Sequence, residues 1–437
     1  MAEEDSGKIV LDVWLNDWPL WPELTDVARE HAAEFGRKHP RYTVKIHPIT
    51  MPTMPAEVAK AARAGAGPTI AAYQYTVTQN ARDAVAADGT PLFTSVEKAV
   101  GGRTEILGEP VVLDDILTNA RHYYTFDGEL TSMPRNTSTI LLHANLTLLE
   151  AAGIESVPKT WDELEAAGKA LLALPGGPAH AVTWPNFGWF FQQSLGQQGG
   201  LLADHDNGRT GRAGKVDLAS PEMLAYVQWW RRLHESGIYR YTGKPTDWPG
   251  TFAAFAAQEV AFLLSSSAET GRIVQAGQDG GFRVEAGPMP YNNRAPYYGN
   301  QVAGESLWLA TGLDKSTEDG ALAFLQYWTN ARNAANRYEH GRSFVPTTEA
   351  SIAFLESEGW FERNPHLRTA IDQLRTTTDT PATRAAVFGN FSEIQNLTAA
   401  AMHDVLTSGA DPALRFAEAT ADAQALLNAY NAEHGPE

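Results

Sequence analysis

The sequence predicts an α/β protein built from two domains, and three observations carry that reading. The chain has 437 residues and 43% hydrophobic content, enough for two domains with substantial cores. Its N-terminal part alternates β-favouring runs with amphipathic helical ones, the pattern of a mainly parallel sheet flanked by helices. Farther on, SMPRNTSTILLHAN at 132–145, AAGI at 151–154 and PKTWDEL at 158–164 read in succession as turn, buried strand, short helix and capped helix.

In chain order, KIVLDVW at 8–14 alternates like a first strand, and 21–36 has the apolar spacing of an amphipathic helix. YTVKIH at 42–47 is the next strand, 55–65 a helix and PTIAA at 68–72 a further strand. The second domain opens near Gly128. Pro134 and Asn136 punctuate the turn, and 139–143 is apolar and β-favouring. Gly153 closes the short helix, and Thr160 with Glu163 three residues on forms a capping box. Ser220-Pro221-Glu222 starts a helix reaching 236. Residues 260–265 form a strand, and strands at 282–290 and 305–310 return to the first domain. From Ser316 the chain is largely helical, with Phe324, Leu325, Tyr327 and Trp328 on one apolar face. PGGP at 175–178 is a tight turn and 204–214 a polar surface loop. The domains on this reading are 1–127 with 271–315, and 128–270 with 316–437.

A formal charge of −18 with no run of Lys or Arg argues against a nucleic-acid partner. With no cysteine, neither disulfides nor thiolate chemistry contribute. The most apolar stretch, 251–264, is broken by Gln258 and Glu259 and falls short of a membrane span. Phosphate-loop, dinucleotide and Gly-x-Ser-x-Gly patterns do not occur, and the histidines lack close metal-ligand spacing, so no cofactor or metal is expected.

The order MP-x-N-x-S-T, strand, Asn, helix, AGI, P-x-TW-DEL resembles the extracellular solute-binding proteins of carbohydrate ABC importers. The likeness extends through YTGK at 241–244, GESLW at 304–308, RSFVP at 342–346 and GWFERNP at 359–365, which look like the glycerol-3-phosphate and glycerophosphodiester receptor branch. The resemblance implies a two-lobe periplasmic-binding-protein-like fold with a multi-segment hinge, closing on a small solute and presenting it to membrane permease subunits as a monomer. It also implies an extracytoplasmic location. Because 1–7 is polar and acidic, a leader and a lipid-bearing Cys are then expected to have been removed ahead of it.

A sugar presents planar arrays of hydroxyls and C–H faces, so its receptor needs aromatic platforms with carboxylates or amides; the chain has 12 Trp, 14 Tyr and 17 Phe. WPNFGW at 184–189 lies where the related receptors carry a Trp-rich ligand loop, so Trp184 and Trp189 either contact ligand or plug their own domain. Asp247 beside Trp248 is a second candidate, with helix capping the competing role for the carboxylate. Gln74 and Tyr75 end a strand, where open α/β sheets expose binding loops, although Tyr75 also suits a core. Asn300, Gly304 and Glu305 combine an amide, a close backbone approach and a carboxylate; a hinge turn with Glu305 solvated is the alternative. Asn136, Ser138 and Ser266 offer amide or hydroxyl groups that also serve turns and caps.

Two departures from the resemblance bear on the ligand. The phosphodiester receptors carry an Arg before a Gly-Asn pair, suited to clamping phosphate. Here Val387 holds that position, with Arg384 nearby, which favours a neutral mono- or short oligosaccharide, galactose- or glucose-like, over a glycerophosphodiester. Gln258 stands where the family usually has Gly. A glycoside hydrolase using Asp247 and Glu305 is the rival from another class.

Overall fold

Ten strands, in a computed structural model that describes residues 7–18, 23–340 and 344–435, make the two main sheets. They are β1 (Ile9–Asp17), β2 (Tyr42–Thr50), β3 (Ile70–Gln74), β4 (Phe93–Thr94), β5 (Met133–Ser138), β6 (Ile140–Asn145), β7 (Val182–Thr183), β8 (Phe262–Ser266), β9 (Val284–Pro288) and β10 (Ala303–Ala310). The chain divides into two compact units, 1–137 with 303–360 and 138–302 with 361–437. Arg342 of the resemblance motif and Trp21 of the expected first helix lie outside the described residues.

The first unit holds a six-stranded sheet in the order β2-β1-β3-β10-β4, with β5 also on β10. β1 pairs in parallel with β2 and β3, as the alternation of strand and helix requires, whereas β10 runs antiparallel to β3 and β4. All eight residues of β10 are buried, so this strand is covered on both faces. The helix Glu23–Lys38 buries Val27, Ala28, His31 and Phe35. It ends two residues later than expected. Lys315–Thr329 follows the Asp314 N-cap and buries its residues from Gly320 onward.

The second unit has a four-stranded sheet, β7-β8-β6-β9. The central β6 reads Ile-Leu-Leu-His-Ala-Asn and is wholly buried, the run singled out in the sequence. Thr160 and Glu163 form the expected capping box ahead of Trp161–Ala173. Pro221–Glu235 follows the Ser220 cap.

The α/β class holds, while the strand directions are more mixed than expected: β6 is antiparallel to both neighbours. The domain boundaries also differ. Residues 271–302 belong to the second unit because β9 hydrogen-bonds to β6 rather than returning to the first sheet. Residues 316–360 belong to the first unit, where Phe324 packs on Phe35 with ring centroids 5.3 Å apart. Repeating strands and helices reveal class well, but a strand's partner is a long-range choice that local pattern does not encode.

Candidate ligand-binding site

In the first unit, the antiparallel register sets Glu305 opposite Gln74, so the start of β10 lies beside the carboxyl end of β3. Asn136 of β5 joins them: its Oδ1 accepts from the Glu305 backbone N–H at 3.1 Å. Gly304 makes this approach possible. Its φ of +141° favours glycine, and a Cβ there would come within 2.1 Å of the Asn136 carbonyl oxygen. Four of the five candidates in this unit, Gln74, Asn136, Gly304 and Glu305, are thereby brought together. Tyr75 is not a surface contact; it is buried, and its carbonyl accepts from Tyr123 Oη at 2.9 Å.

Glu305 is fully buried, which rules out the solvated hinge carboxylate considered from sequence. One of its oxygens is ion-paired with Arg135, itself only 5% exposed, and the other accepts from Trp18 Nε1 at 2.6 Å. The carboxylate thus fixes an indole just beyond β1. Gln74 is half-buried and turned back on its own chain, its Oε1 accepting from the Thr76 backbone N–H at 3.0 Å and from the Thr76 hydroxyl. Sequence reasoning missed Arg135 and Trp18. The sequence reading placed Arg135 in a turn between Pro134 and Asn136, where a charge is unremarkable; in the structure it lies within β5.

In the second unit, the pairing of Ile140 with Ser266 carries Ser138 and Ser266 to the same end of β6 and β8. Ser266 accepts from the Ala268 backbone N–H at 3.2 Å, so it caps the following turn. The Ser138 hydroxyl makes no hydrogen bond among the described residues.

The aromatic candidates separate by burial. Trp184 is fully buried, with its ring 5.8 Å from Trp229 and stacked at 12°, and Trp229 stacks in turn on Trp161 at 4.8 Å. Trp184 is therefore core, as its plugging alternative required. Trp189 is 5% exposed and packs near Phe190. Trp248 is half-buried, against Phe187 at 5.9 Å and Phe190 at 5.8 Å, and presents an aromatic edge together with the half-buried Phe187. Phe187 was missed; it lies within the WPNFGW loop, where the two tryptophans drew the attention. Asp247 caps the helix Trp248–Ala256, Oδ1 accepting from Gly250 N–H at 3.2 Å.

Asn300 is completely buried and its polar atoms are engaged. Nδ2 donates to Gln193 Oε1 at 2.9 Å, while Oδ1 accepts from Tyr297 Oη at 3.0 Å and from Gln197 Nε2 at 3.3 Å. Its role in this geometry is to tie together the helix Gly188–Gln197 and the segment before β10.

The environment of Val387 bears on charge. Val387 is buried, and its backbone N–H donates to the Asn207 carbonyl at 2.9 Å. Arg384 is held by both oxygens of Asp379, at 2.6 and 2.7 Å, which raises its pKa further. Neither residue offers an uncommitted cation. At Gln258, where glycine was expected, φ is +57°: the turn keeps the left-handed backbone, and the amide Oε1 accepts from Asn145 Nδ2 at 3.1 Å.

Among the described residues, no group of His, Cys, Asp or Glu is arranged to hold a metal, and no helix is long and apolar enough to cross a membrane. The sequence profile described as "Bacterial extracellular solute-binding protein" matches residues 30–369. The sn-glycerol-3-phosphate-binding periplasmic protein UgpB of Escherichia coli (strain K12) is 27% identical over 290 residues, 65% of this chain and 64% of that protein. Among solved structures, the sugar-binding protein MalE from Xanthomonas citri has a TM-score of 0.76 at 18% identity, covering 96% of this chain and 98% of that one. The cyclic alpha-maltosyl-1,6-maltose binding protein from Arthrobacter globiformis has 0.74 at 21%, covering 97% and 100%. UgpB from Mycobacterium tuberculosis, in complex with glycerophosphocholine, has 0.73 at 20%, covering 97% and 99%. These likenesses show a shared two-lobe fold.

Proposed function

This chain belongs to the bacterial extracellular solute-binding proteins, and from that premise we propose that it captures a neutral mono- or short oligosaccharide, galactose- or glucose-like, and delivers it to an ABC importer. The observation that carries the sugar reading is the half-buried Trp248 beside Phe187, an aromatic surface in a loop-rich part of the second unit. Aromatic faces suit the C–H patches of a pyranose. Neutrality is supported by the buried Val387 and by Arg384, whose guanidinium is spent on Asp379. Ser138, Ser266, Gln74 and Asn136 are the polar candidates that would order hydroxyls. The chain passes between its two units at three places, and those passages are the linkers a hinged capture would use. Binding would shift the population of closed molecules by its differential affinity.

The second reading is a glycerol-3-phosphate or glycerophosphodiester receptor, favoured by the 27% identity to the Escherichia coli protein. The hydrolase reading is weaker, because Glu305 is buried in an ion pair and Asp247 is a helix cap. An extracytoplasmic site of action, lipid-anchored at the cell surface or periplasmic, belongs to the same proposal.

Titrating neutral sugars and glycerophosphodiesters against intrinsic tryptophan fluorescence, with product analysis of the same samples, tests this reading. Saturable sugar binding with the sugar recovered intact is expected; cleavage of a glycosidic bond would overturn the receptor assignment.

A further inference from the structure

The first unit contains a small cavity of about 30 Å³ whose lining includes Arg135, Asn136, Arg337, Phe344, Val345 and Thr347. Charge does not balance around it. Arg135 is paired with the buried Glu305. Arg337 donates to the Trp328 carbonyl and lies with Cζ 4.5 Å from the centre of that indole, while Arg135 sits 5.5 Å from the same ring. Among the described residues, Arg337 has no carboxylate partner. Two guanidiniums, Arg135 buried and Arg337 half-buried, thus border this space with only one carboxylate, already paired, beside them. Burial and the field of Arg135 both press against the Arg337 charge, and a guanidinium does not discharge in a protein.

A second, independent observation lies in the same wall. Thr347 is 1% exposed, and its hydroxyl has no hydrogen-bond partner among the described residues. Its O–H can donate. A water there would satisfy the hydroxyl but leave the excess positive charge of the half-buried Arg337 unanswered. An anion answers both. The space is small, about 30 Å³, and suits a compact anion.

We propose that this cavity is a binding site for one monatomic anion of the chloride class, held by Arg135, Arg337 and the Thr347 hydroxyl. The ion completes the local charge balance and braces the packing of Ala331–His340 against Arg135 of β5. The site is independent of which solute the protein captures.

The test uses the full chain at fixed pH and ionic strength, with sodium chloride replaced stepwise by sodium gluconate. The thermal unfolding midpoint should rise saturably with chloride and with bromide, and ³⁵Cl resonance broadening should report exchange at the site. Arg337→Gln should abolish both responses. Thr347→Val keeps the charge and the shape, and should weaken the chloride response by about tenfold, the usual worth of one hydrogen bond to an ion. Equal midpoints in chloride and gluconate would overturn the proposal. So would an unchanged chloride response in Thr347→Val, a result that stands even if Arg337→Gln does not fold.

Discussion

Glu305 shows how far a residue's surroundings can depart from what its neighbours in sequence suggest. Its flanking glycine and serine read as a flexible turn, yet the carboxylate is fully buried between Arg135 and Trp18. Removing one partner of such a pair leaves the other charged and desolvated, so Glu305→Gln should cost about 3–5 kcal/mol in urea unfolding. Adding Arg135→Met should recover much of that loss. Trp248→Ala, on the proposed function, should weaken sugar affinity by tenfold or more while leaving the unfolding midpoint close to that of the parent; unchanged affinity would remove this residue from the site. Local sequence singled out the aromatic residues but could not rank them. Trp184 and Trp248 are each followed by proline, and only long-range packing sends one into the core and leaves the other half-buried.

At the scale of elements, the most legible features were those fixed within one turn of chain. The Thr160 and Glu163 capping box is one, and Thr160→Ala should lower stability by about 1 kcal/mol, measurable by chemical denaturation. The Asp247 cap was legible as an alternative for the same reason. The segment 204–214 was not. Expected to be an ordinary polar loop, it contains His205, Asp206 and Asn207 in successive left-handed conformations, followed by Gly208. Distant contacts hold that strained turn. Asn207 Nδ2 donates to the Pro381 carbonyl at 3.3 Å, the Asn207 carbonyl accepts from Val387 N–H at 2.9 Å, and a Cβ on Gly208 would meet the Val387 carbonyl oxygen at 2.0 Å. Gly208→Ala should therefore destabilise by more than the usual αL penalty of about 1 kcal/mol, because the Val387 backbone must also move. A thermal midpoint within error of the parent would contradict this. Polar composition recorded that the turn was not helix or sheet, and nothing local encoded its partner 180 residues later.

For the whole molecule, two buried histidines set an acid limit. His143, in the middle of β6, has a pKa pushed down to about 3 by burial. Its Nδ1–H donates to the Leu263 carbonyl at 3.3 Å and Nε2 accepts from the Thr270 hydroxyl at 2.9 Å, a neutral ring with both nitrogens occupied. His31 is lowered to about 4, by burial first and then by Arg337. Both folded values lie below the unfolded 6.5, so the unfolded chain binds more protons as pH falls. Their stabilising contribution is complete above about pH 6.5 and is lost progressively toward 4 for His31 and 3 for His143. Denaturation midpoints measured from pH 7 to pH 4 should fall, and less steeply in His143→Asn; parallel curves would contradict this assignment. The α/β class and the order of elements were visible in the sequence because periodicity is local. The division into units was not, since it depends on β9 choosing β6. Calorimetric titration of the intact chain with neutral monosaccharides and maltose-sized sugars, alongside glycerol-3-phosphate and glycerophosphocholine, decides the ligand class. Saturable heat of binding for a neutral sugar and none for the phosphate compounds is the predicted result; saturable heat for the phosphate compounds alone would contradict it.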